Sequence, residues 1–170
     1  VGSDLVTEET VSSIQETGLH RTINELLDKR ALTVDAFGGR ISFSQHSFEI
    51  GVTAFQTKLS SKLISSDEMY KMFSFSGNEL TNFGIDFSYN LNKINFFGEM
   101  AGSNNGGLAG IAGINAFLSD RFIFSFLYHN YGKKYQNIYA NPFAESSAIA
   151  NENGIYFGFN ALHQKKWSLS

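Results

Sequence analysis

The amino-acid sequence predicts an all-β fold. We expect an antiparallel, up-and-down transmembrane β-barrel, or a partial barrel of about eight strands, with a short N-terminal helix. Three observations predict it. From residue 34 onward, apolar side chains alternate with polar or small ones in runs of roughly ten residues. Short polar turns alternate with longer connections, as at the two ends of a membrane barrel. Charged residues make up only 17% of the chain, against about 25% in an ordinary soluble domain.

Residues 1–33 form a loop and short-helix segment ahead of the strands. Thr22 and Glu25 make a capping box, and Ile23, Leu26 and Leu27 fall on one helical face. They predict a helix over about 23–31. Residues 34–170 form the β segment. In 47–56, Phe48, Ile50, Val52 and Ala54 oppose Glu49, Gly51, Thr53 and Phe55. In 81–90, Phe83, Ile85, Phe87 and Tyr89 oppose Gly84, Asp86, Ser88 and Asn90. The run 94–101 is less regular, and 107–117 is apolar on both faces but built from small residues. In 121–130, Phe122, Phe124, Phe126 and Tyr128 share a face. In 153–162, Ile155, Phe157, Phe159 and Ala161 do the same. Ser44–Ser47, Asn90–Lys93, Leu118–Arg121 and His163–Lys166 are the tight turns; 59–80 and 132–151 are the long connections. A further strand is expected to begin at Trp167. The first residues carry no signal-peptide pattern and the last stop where that strand should start, so the chain is expected to be a segment truncated at both ends.

The two faces differ in chemistry. Phe83, Phe87, Phe122, Phe124, Phe126, Phe157 and Phe159 are the candidates for contact with lipid. Arg40, Glu49, Asp86 and Glu99, with Asn115, are the candidates for lining a lumen. Lipid offers no partner to a charge, so aromatic residues face out and charges face in. No run of apolar residues is long enough for a transmembrane helix.

Motifs for chemistry are absent. There is no Cys, and the four histidines, His20, His46, His129 and His163, lack metal-ligand spacing. Gly107–Gly113 has neither the P-loop nor the dinucleotide spacing and reads as a strand of small residues. No Gly-x-Ser-x-Gly elbow occurs. No enzyme activity, cofactor or metal is therefore expected. Net charge is −3, without the basic signature of a nucleic-acid binder. Tyr128, Tyr131, Tyr135, Tyr139 and Phe143, with Lys133 and Lys134 among them, fit an interfacial girdle and a loop folded over the barrel mouth; stacking on single-stranded nucleic acid is the alternative.

Three stretches carry a resemblance: Thr17–Glu25, Asn95–Glu99, and Tyr131–Tyr135 continuing through Phe143–Ser147 to Asn151–Tyr156. In this order the chain resembles the β-barrel region of Bacteroidota envelope proteins of the helix-hairpin-helix, competence-like group. The resemblance implies an outer-membrane location. The helix-hairpin-helix repeats that name the group bind DNA backbone, and no such repeat occurs here. DNA handling would then belong to parts of the parent protein outside this chain.

Two functions follow. One is a structural or transport role as an outer-membrane barrel segment, with the bilayer as partner. The other is a soluble antiparallel barrel or sandwich acting as a binding module, whose aromatic faces would form its core.

Overall fold

In a computed structural model, residues 10–11, 32–64, 73–119, 121–141, 143–144 and 150–161 are described. They form one eight-stranded sheet and contain no helix. The strands are β1 (Thr10–Val11), β2 (Val34–Gln45), β3 (Phe48–Leu63), β4 (Gly77–Leu91), β5 (Ile94–Ser103), β6 (Leu108–Phe117), β7 (Phe122–Tyr131) and β8 (Glu152–Ala161). From β2 to β8 each strand pairs antiparallel with the next, and the sheet curls into a half-barrel. Among the described strands, β2 and β1 lie along one edge and β8 along the other.

Three expectations are corrected or left aside. The first 33 residues contribute a strand: β1 pairs parallel with β3, Thr10 against Lys62 and Val11 against Leu63, continuing the β3 edge beyond β2. The connection expected over 59–80 is shorter, because β3 runs on to Leu63 and β4 starts at Gly77. The register slips between Lys58 and Leu63, a bulge that breaks strict alternation and hides both strand ends from a period-two pattern. The helix over 23–31, the turn 163–166 and the strand start at Trp167 lie outside the described residues.

Tight turns follow from local chemistry. His46–Ser47 joins β2 to β3, and Asn92–Lys93 joins β4 to β5. His46 and Asn92 sit in the left-handed region at φ 52° and 53°, a conformation that Asn and His adopt more readily than most residues. Residues 118–121 join β6 to β7 at the same end. At the other end β3 leads toward β4 and β7 toward β8, and the short Asn104–Gly107 turn joins β5 to β6.

Register carries the alternation of each strand across the whole sheet, since directly opposed residues share a face. Phe43, Ile50, Phe87 and Gly98 form one row, and Ile114, Phe126 and Phe157 belong to another on the same face. Bulky rings are matched to glycines. Phe55 lies opposite Gly38, Phe87 opposite Gly98, Phe97 opposite Gly113 and His129 opposite Gly154. In each pair the ring fills the space a Cβ would take. This covers backbone that glycine leaves bare and helps pin the register.

Candidate functional site

Face assignment from the register divides the sheet cleanly. One face carries Phe83, Phe87, Phe122, Phe124, Phe126, Phe157 and Phe159 together. Arg40, Glu49, Asp86, Glu99 and Asn115 stand on the other. The first face is bare. Phe157 is 67% exposed, Phe37 82% and Ile41 83%. The second face is covered at one end by residues 132–141, so we name the two faces bare and covered.

The bare face has an apolar band with polar edges. In the band every residue is apolar, glycine or tyrosine: Phe37 to Phe43 on β2, Phe48 to Ala54 on β3, Phe83 to Leu91 on β4, and likewise through Phe122 to Tyr128 on β7 and Ile155 to Ala161 on β8. Beyond it at the loop end stand Asp35, Gln56, Lys58 and Glu79. Gln56 donates to Glu79 at 2.7 Å, and Lys58 lies 3.9 Å from the same carboxylate. Asn130 opposes Asn153 at the same end of β7 and β8. From Phe83 to Leu91 the strand advances about 27 Å at about 3.4 Å per residue. Tilted as barrel strands are, it spans roughly 20 Å, near the apolar height of an outer-membrane barrel.

On the covered face Arg40 reaches across β3. Its Nη2 donates to Asp86 Oδ2 at 2.7 Å and to Glu49 Oε1 at 3.3 Å, while Nε donates to Asp86 Oδ1 at 3.3 Å. Gly51 makes this crossing possible. A Cβ there would stand 2.5 Å from Arg40 Nη2 and 2.7 Å from Asp86 Oδ1. Toward the tight turns a polar ladder follows: Asn95 donates to Ser88 Oγ at 3.0 Å and Asn90 Oδ1 at 2.9 Å, and Ser125 donates to Asn115 Oδ1 at 2.7 Å. Glu99 lies directly opposite Asp86, but Arg40 does not reach it.

At the loop end, residues 132–137 form a strap held by side-chain amides. Asn82 donates to the Gln136 carbonyl at 2.7 Å. Asn105 donates to the Lys134 carbonyl at 2.7 Å and to Gln136 Oε1 at 2.8 Å, and accepts from the Gly107 amide at 3.2 Å. Gln136 donates onward to the Ser74 carbonyl at 3.2 Å. The backbone of Lys134 and Tyr135 lies so close to Gly107 that any side chain there would collide with it. Among the described residues the buried apolar side chains are Leu59, Leu80, Tyr131 and Tyr135. All belong to the covered face or its strap. Burial pushes the Tyr135 phenol above its usual range; the hydrogen bond from Asn137 opposes this, and the charge of Glu99 adds to it.

His129, 4% exposed, pairs through Nε2 with Glu152 Oε1 at 3.0 Å and stacks on Tyr131 at 4.9 Å. Register puts it on the covered face, opposite Gly154 and Ile111 and beside the Tyr131–Glu152 pair. The strap amides Asn82, Asn105 and Gln136 were not singled out from sequence. Asn104-Asn105-Gly106-Gly107 is legible as a turn, but not as the clamp on a segment nearly thirty residues away. The described residues hold no cluster of three or more potential metal ligands. Neither a protein-family model, nor a curated protein, nor a solved structure matches this chain.

Proposed function

We propose that this chain is a wall segment of an outer-membrane β-barrel with a structural or transport role. In this reading the bare face meets lipid and the covered face meets the lumen. The observation that carries the proposal is the unbroken apolar band. It crosses all seven long strands, has polar residues at its loop-end edge, and is exposed throughout most of its extent. In water such a surface far exceeds the few hundred Å² that monomeric proteins leave bare. In a bilayer it is what a barrel wall requires, while charges and amides turn inward, where water or one another can satisfy them. Three short turns at one end, with the two longest connections at the other beside the short Asn104–Gly107 turn, support the same reading. DNA handling enters only through parts of a parent protein outside this chain, as the resemblance to helix-hairpin-helix envelope proteins implies.

Cell fractionation of the parent protein, followed by semi-native electrophoresis before and after boiling, tests the proposal. An outer-membrane protein whose mobility changes on boiling is expected. A soluble monomer with no mobility shift would overturn the lipid and lumen assignments and favour a soluble binding module.

A further inference from the structure

Glu99 is a carboxylate on the covered face that neither the Arg40 network nor the His129–Glu152 pair takes up. Among the described residues it has no hydrogen bond or ion pair, while Arg40 is divided between Glu49 and Asp86. One cation thus faces three carboxylates, two of them directly opposed across β4 and β5. A positive charge placed at Glu99 would relieve that imbalance.

Space for it exists. Two adjoining cavities, about 290 Å³ and 260 Å³, share Glu99, Ala101, Tyr135 and Ala140. These volumes suit a head group rather than a large ligand. Gly84 leaves one approach open: a Cβ there would stand 3.9 Å from Glu99 Oε1, in ordinary contact, and anything larger would enter the cavity.

The walls select the class of cation. Glu99 is their single charged group; the rest are rings and methyl groups, chiefly Ala101, Ile111, Tyr131, Tyr135 and Tyr139, with the neutral side chains of Thr53, Asn82, Asn137 and Asn141 among them. Calcium or magnesium is held by several carboxylates together, and this site has one. A weakly hydrated organic cation loses less on leaving water, and ring quadrupoles attract its charge while its alkyl groups meet the apolar wall. We propose that Glu99, with Tyr131, Tyr135 and Tyr139 around it, is a binding site for a small alkylammonium group. The inference does not rest on the membrane reading, because the same cavities exist whichever medium the bare face meets.

The test titrates the intact protein in maltoside micelles with tetramethylammonium chloride, holding ionic strength with sodium chloride, and follows the Ala101 and Ala140 methyl signals by NMR. Saturable shifts with a Kd of roughly millimolar order are expected. Glu99→Gln, at an exposed residue with no partner to lose, should keep the β spectrum and weaken binding about tenfold or more. Gly84→Val should weaken it by filling the cavity. Choline compared with a short-chain phosphatidylcholine distinguishes a free quaternary ammonium ion from a lipid head group, and saturable binding of either supports the site. Absence of saturation, equal binding by Glu99→Gln, or an equal response to sodium or to neutral tert-butanol would each overturn the proposal.

Discussion

Replacing Phe157 by arginine separates the two environments open to the bare face. Phe157 lies in the central part of β8, 67% exposed, with its ring 5.2 Å from Phe126 and 6.5 Å from Phe124. Any non-aromatic substitution loses those ring contacts, worth about 0.5–1.5 kcal/mol for a good pair. Phe157→Leu measures that loss alone and should cost about 1 kcal/mol in either medium. Arginine adds the cost of a charge against hydrocarbon, about 2–4 kcal/mol at mid-bilayer. In lipid, Phe157→Arg should therefore be less stable than Phe157→Leu by roughly 2–3 kcal/mol. In water the same difference should fall within about 0.5 kcal/mol of zero, because an exposed arginine is well solvated. Urea titration of protein refolded into phosphatidylcholine vesicles, read by far-ultraviolet circular dichroism and by the folded band on semi-native gels, gives both values. Equal stability of the two variants in vesicles would refute the assignment of this face to lipid.

Further expectations concern the strap and the sheet. Asn105→Ala removes two donated and two accepted hydrogen bonds, and should loosen residues 132–137 by about 1–3 kcal/mol; faster amide exchange at Gln136 and quicker tryptic cleavage at Lys133 and Lys134 would show it, and unchanged rates would count against the clamp. The Tyr135 phenol is held above its ordinary value of 10.0, chiefly by burial. An unfolded chain then loses this proton first as pH rises, so the stabilisation is complete below about pH 10 and fades through the folded-state pKa. Absorbance titration at 295 nm alongside strap exchange should show this loss, and Tyr135→Phe should abolish it. Gly113→Val would place a Cβ 2.8 Å from the Phe126 carbonyl oxygen and into the Phe97 ring. It should destabilise the β5–β7 region by about 1–3 kcal/mol, measurable in the same urea titration.

Alternation made most of the sheet legible. Phe83 to Tyr89, Phe122 to Tyr128 and Ile155 to Ala161 announce strands because side chains in a strand point to opposite faces by turns. The tight turns at His46 and Asn92 were equally visible, since polar residues between two alternating runs mark a reversal. Where the signal failed, local pattern was no longer in control. The bulge between Lys58 and Leu63 breaks the period, and β1 is a two-residue parallel pairing with no pattern of its own.

Alternation within the long strands was readable from the chain alone, because it depends only on neighbours along it. The sequence could also mark Arg40, Glu49, Asp86 and Glu99 as charges set among apolar residues. That Arg40 crosses Gly51 to hold Glu49 and Asp86 while Glu99 is left beside a cavity emerges only once the strands pair, because it depends on their register. The same pairing lets Asn82 and Asn105 clamp Gln136, and brings His129 to Glu152. Such contacts join residues far apart in sequence, and their geometry follows from backbone pairing across the whole sheet rather than from any local preference.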